Sequence, residues 1–156
     1  MGKMMAIAAV ALLCAVSPCV CLEANGYPAE YRVTVETLEN GTTVESFRWG
    51  SLKVTFESFV DERYAATARV IDPSGATLLE LRSTRFITPS LTEGGDDFTR
   101  EFFLDLFGDG GNELKITAWS GGAYGCYCDR IYSYDETNGL RNVLAYDGGE
   151  GRIGKG

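Results

Sequence analysis

Histidine is absent from all 156 residues. Its absence removes the commonest general base, and with it every Ser-His or Cys-His nucleophile pair. A sustained helical hydrophobic repeat is nearly absent too. With hardly any helix expected, no glycine loop can present phosphate to a helix N-terminus. No apolar run reaches the roughly 20 residues that a membrane-spanning helix needs, so no membrane span is expected. Positive charge is in short supply: 14 basic residues face 22 acidic ones, a net charge of −8. Such a surface repels nucleic acid and anionic lipid, and neither is expected as a partner. Two enzymatic routes survive. One is a pair of carboxylates of the kind a glycosidase uses. With so many acidic residues some pair always occurs, so abundance is no evidence for it. The other is a Cys-x-Cys thiol exchanger. The chain is therefore expected not to be an enzyme.

The N-terminus reads as an export signal. Lys3 precedes the apolar run AIAAVALLCAV, and Pro18 follows it. A short positive region, an apolar stretch and small residues beyond it form the layout of a secretory signal. Cys19 and Cys21 suit the small-residue positions ahead of a cleavage point, which places cleavage after Cys21, with Ala24 as the second choice. A lipid anchor on Cys14, Cys19 or Cys21 fits the preceding residues less well. Removing residues 1–21 takes away only Lys3 among the charges, so the mature chain is more acidic still. The expected location is periplasmic or extracellular. Residues 22–147 then form a single β domain, and the glycine-rich stretch 148–156 forms a tail.

Alternation of apolar and polar residues dominates the mature chain. Tyr31, Val33 and Val35 alternate with Arg32, Thr34 and Glu36. Asn40-Gly41 marks a hairpin, and a second strand runs from about Thr42 to Trp49. Asn40-Gly41-Thr42 also matches a glycosylation sequon, but the hairpin explains it without sugar. Leu52, Val54 and Phe56 make a third strand. ATARVI and ATLLELR flank Asp72-Pro73-Ser74-Gly75, whose proline and glycine sit where a type I turn prefers them. Phe102, Leu104 and Leu106 alternate with Phe103, Asp105 and Phe107. Leu114, Ile116 and Ala118 repeat the pattern. Tyr124 to Tyr134 reads as another strand, and a last one centres on Val143 to Tyr146. Thr88 to Asp97 is the one long loop. The pattern predicts an all-β fold, an antiparallel sandwich or propeller-blade-like sheet of about eight or nine short strands.

The segment FFLDLFGDGGNELKITAWSGG carries the candidate chemistry. Hard cations take about six to eight oxygens from carboxylates, carbonyls and water. With Asp105 as first position, Asp109 is fifth, Gly111 seventh and Glu113 ninth. Three carboxylates and one backbone carbonyl at that spacing can wrap a single Ca²⁺ in a tight hairpin loop. Without an ion, Gly-Asp-Gly-Gly-Asn is an ordinary turn composition. The segment resembles the calcium turn of FG-GAP/VCBS-type repeats, and AWSGGAYGCYCDRIYSY after it resembles small exported bacterial proteins with one such motif and a cysteine pair. The resemblance spans Phe102 to Tyr134. It implies that Asp105, Asp109 and Glu113 give side-chain oxygens and Gly111 its carbonyl. Phe107 stands where a polar ligand is usual, which implies a weak site. The chain shows no second copy of the motif, so a whole propeller is not expected.

Cys126 and Cys128 are the two cysteines left after signal removal, an even number in an oxidising compartment. In a flat strand they point to one face at the upper limit of disulfide reach. A bend permitted by the neighbouring glycines lets them join in a strained, readily reduced bond. Free thiols or soft-metal ligation are the alternatives. The resulting expectation is an exported, non-enzymatic β domain with one weak calcium turn, in an interaction or scaffolding role toward an unknown protein or glycan. A thiol/disulfide redox protein is the alternative.

Overall fold

Three-residue turns close two hairpins of the first sheet. At the Asn40-Gly41 turn, Leu38 N–H bonds Thr42 O and Gly41 N–H bonds Leu38 O, with Gly41 left-handed at φ 81°. The Asn40 side-chain oxygen accepts the Thr42 N–H at 3.0 Å. Asp72 to Ala76 repeats the arrangement, with Gly75 at φ 90°. A left-handed glycine in the third loop position is what lets such a turn rejoin two strands.

The computed structural model describes residues 22–23, 27–59, 66–119 and 127–147. The expected signal peptide, the candidate anchor cysteines 14, 19 and 21, Cys126 and the tail 148–156 lie outside the described residues. Strands β1 (Leu22–Glu23), β2 (Thr34–Thr37), β3 (Thr43–Trp49), β4 (Leu52–Ser58), β5 (Ala66–Ile71) and β6 (Thr77–Ser83) form one sheet in chain order. All its pairings are antiparallel. The second sheet is built from β7 (Arg85–Phe86), β8 (Phe103–Leu104), β9 (Glu113–Trp119), β10 (Tyr127–Asp135) and β11 (Gly139–Asp147). Its order is β11-β10-β9-β7, and β8 also pairs with β9. The fold is an antiparallel all-β sandwich.

The core lies between the sheets. Phe47, Leu52, Val54, Phe56, Ala68 and Val70 come from the first, and Phe86, Phe103, Leu114, Ile116 and Tyr132 from the second. Phe47 meets the rings of Phe98, Phe102 and Phe103 edge-on at 5.0–5.8 Å between centroids. Each fully buried phenylalanine contributes about 1.5–3 kcal/mol.

Two expectations are corrected between Thr88 and Phe107. Part of the expected loop is ordered as a 3-10 turn, Pro89–Leu91, and a helix, α1 (Gly95–Phe102). The expected strand from Phe102 to Phe107 is only the two residues of β8. In α1, Phe98 and Phe102 stand four apart and share the buried face. Asp96 and Asp97 in its first turn and Arg100 in its last complement the helix dipole. Only two apolar residues in eight make a helical period too short to detect in sequence.

Candidate functional site

The loop from Asp105 to Asn112 joins β8 to β9, whose register pairs Leu104 with Glu113. Gly108 and Gly110 are left-handed, at φ 68° and 80°. A Cβ on Gly111 would lie 2.8 Å from Asp109 Oδ1, so a larger residue there would displace the Asp109 carboxylate. Asp105 accepts the N–H groups of Asp109 and Gly110, at 3.1 and 3.2 Å. Asp109 accepts the Gly111 N–H at 2.8 Å. Glu113 is 5% exposed, and its Oε2 accepts the Leu106 N–H at 2.9 Å. Trp49 Nε1 donates to Asn112 O at 2.7 Å and pins the turn to β3.

The structure thus gathers Asp105, Asp109, Gly111 and Glu113 into one turn, with the acids aimed at backbone donors. Among the described residues no three acidic or thiol groups stand together closely enough to hold one metal ion. As arranged, each carboxylate accepts a backbone N–H of the loop. Phe107, at the missing-ligand position, is 63% exposed. Cys128 lies half-buried on β10, but its expected partner Cys126 is outside the described residues, so the disulfide expectation falls there too.

Two polar clusters carry no signal in the sequence. Glu45, 4% exposed on β3, accepts Thr88 Oγ1 at 2.7 Å, Ser90 Oγ at 2.8 Å and Ser90 N–H at 2.7 Å. A buried carboxylate is tolerable when donors fill its lone pairs, and here they clamp the 3-10 turn to the first sheet. On the outer face of the second sheet, Thr117 Oγ1 donates to Asp129 at 2.8 Å and lies 3.2 Å from Glu101 Oε1. Lys115 pairs with Glu101 at 3.1 Å. This carboxylate pair ties α1 to β9 and already has its partners.

The same outer face carries a hydrophobic row. Arg85, Trp119 and Tyr127 are register partners across β7, β9 and β10. They line a hollow of about 240 Å³ with Ile87 and Leu91, the latter on the turn that Glu45 clamps. Tyr146 pairs with Asp129 and Leu144 with Ile131, which sets them on this face one and two rows along. Tyr127 is 56% exposed and Tyr146 62%.

No protein-family model matches this sequence, and neither a curated protein nor a solved structure matches it.

Proposed function

We propose that this chain is exported and acts outside the cytoplasm as a non-enzymatic β domain in an interaction role, meeting a protein through the outer face of its second sheet. The observation that carries this reading is the Arg85–Trp119–Tyr127 row with its hollow, continued by Leu144 and Tyr146. Arginine, tryptophan and tyrosine are the residues enriched at protein interfaces and their energetic centres. The two sheet edges differ in the same direction. On β6, Glu80 pairs with Arg82 of the same strand and with Arg69 of β5, a charged edge of the kind that discourages association. On β11 the exposed side chains include Leu144 and Tyr146. Lys3 and the apolar run after it support export.

Two experiments test this. Mass spectrometry of exported material is expected to give an N-terminus near Leu22, and retained Met1 would sink the export half. Protein co-purifying with the exported chain is expected to be lost from the Tyr127→Ser, Tyr146→Ser variant at unchanged melting temperature. An unchanged co-purification profile would refute the contact face.

Calcium at the Asp105 turn is a second component of the proposal. It is supported by a loop that already folds around Asp105 and keeps Asp105 and Asp109 at the surface. An ion would compete with the backbone N–H groups for these carboxylates, which keeps affinity weak, on the order of 10⁻⁴ to 10⁻³ M. The alternative, a redox role for Cys126 and Cys128, rests on their spacing alone.

A further inference from the structure

The outer face of the first sheet carries a different feature. Arg48 on β3 and Lys53 on β4 are direct register partners. Thr34, opposite Ser46, puts Arg32 at the β2 end of the same row. These three side chains, with the hydroxyls of Thr34, Ser46 and Ser51, line a cleft of about 480 Å³. That volume is within the range of small-ligand sites, roughly 300–1,000 Å³.

Three observations set this cleft apart. First, like charges directly opposite on a sheet are destabilising, yet Arg48 and Lys53 are so placed in a chain with acid to spare. Second, none of the three basic residues makes a salt bridge among the described residues, whereas Arg69 in the next row is held by both Glu57 and Glu80. The acids that line the cleft form no ion pair with them among the described residues. Asp72 accepts Ser74 N–H, Ser74 Oγ and Ala76 N–H in its own turn. Glu36 lies opposite Val44, two rows from Arg48 and about 13 Å along the strand. Third, Arg32 is the one non-glycine residue at positive φ among the described residues, at 45°. That conformation is costly for a side chain with a Cβ, and such strain concentrates at binding sites. The Tyr31 carbonyl, bonded to Arg48 N–H, holds Arg32 beside Arg48.

We infer that this cleft binds a small ligand through an oxyanion group (carboxylate, phosphate or sulfate) received by Arg32, Arg48 and Lys53. Two guanidinium forks and an ammonium supply charge-assisted donors, and the hydroxyl floor accepts or donates as the ligand requires. Bound anion relieves the repulsion that the row otherwise carries.

The test is calorimetric titration of the full chain at low ionic strength with inorganic phosphate, sulfate and citrate separately. Saturable binding of at least one, weakened by added salt, is expected. Citrate alone would assign a carboxylate ligand, and phosphate or sulfate alone a tetrahedral oxyanion. Arg48→Gln and Lys53→Gln, both at exposed positions, are each expected to weaken it about tenfold or more, within reach of one lost charge-assisted contact. Arg82→Gln, on the far edge strand, is expected to leave it unchanged. Arg32→Gly separates ligand binding from folding: it should melt higher, because glycine adopts positive φ freely, while binding more weakly. No saturable binding of any of the three anions would overturn the inference. So would equal weakening by Arg82→Gln, or unaltered affinity in Arg32→Gly.

Discussion

Replacing Glu45 by alanine tests how the second sheet's contact face is held in place. The carboxylate is 4% exposed and accepts three hydrogen bonds from Thr88 and Ser90, all within 2.8 Å. Each hydrogen bond to a charged group is worth about 1.5–3 kcal/mol in a mutational comparison, but three on one carboxylate are not additive. Removal also relieves the burial of a charge, and water readily serves the exposed Ser90. The expected net cost is about 2–3 kcal/mol, a fall in melting temperature of roughly 6–12 °C for a domain of this size. Ser90→Ala removes one hydroxyl and keeps the N–H bond, so it should cost only about 1 kcal/mol. The assay is thermal and urea unfolding of both variants and of the double variant. In the double variant the two losses should fall short of their sum, because they share a bond. A Glu45→Ala protein melting within about 2 °C of the parent, or above Ser90→Ala, would refute the clamp.

Three further outcomes are expected. Asp135 accepts the Asn138 and Thr137 N–H groups at the β10–β11 turn, and these bonds, led by Asn138, hold its pKa below an ordinary aspartate. A depressed folded value means that its stabilising contribution is complete above the unfolded pKa and is lost as pH falls through the folded one. An NMR carboxyl titration should show that depression and its reduction in Asn138→Ala; an ordinary midpoint would refute it. Asp105→Ala should lower the melting temperature even in chelator, because two loop N–H groups lose their acceptor, at a cost of about 1 kcal/mol. Calcium up to tens of millimolar should raise melting of the parent and not of Asp109→Ala, and identical curves at every calcium concentration would leave the turn purely hydrogen-bonded. Thiol titration of the oxidised, denatured, exported chain should find no free thiol, and two would exclude the Cys126–Cys128 bond.

The strands were legible because each reports its own burial by alternation. Phe47 and Trp49 on β3, or Leu114 and Ile116 on β9, declare a buried face without knowledge of any partner. Turn chemistry was legible for the same local reason, as at Asp72 to Gly75. Helix α1 was not, since its evidence reduces to Phe98 and Phe102. The Asp105 turn was legible as a cluster of acids but not in its bonding. Spacing shows that the carboxylates can converge, and only geometry shows which backbone N–H groups they accept. Glu45 looked like any polar residue of a strand, because its donors are more than 40 positions away. The Arg85–Trp119–Tyr127 row and the Arg48–Lys53 pair are properties of register, which one strand alone does not contain.

The contact face is the claim on which the functional account rests, and photo-crosslinking from within it is the most direct measurement. Benzoylphenylalanine substituted for Tyr127 preserves an aromatic ring at the β10 end of the row, and the same group in place of Arg82 reports from the charged edge of the other sheet. Irradiation of exporting cells should give a discrete protein adduct from position 127, none from position 82, and loss of the adduct when Tyr146 and Leu144 are changed to serine. No adduct from position 127, or the same adducts from both positions, would contradict a protein-binding face on the second sheet.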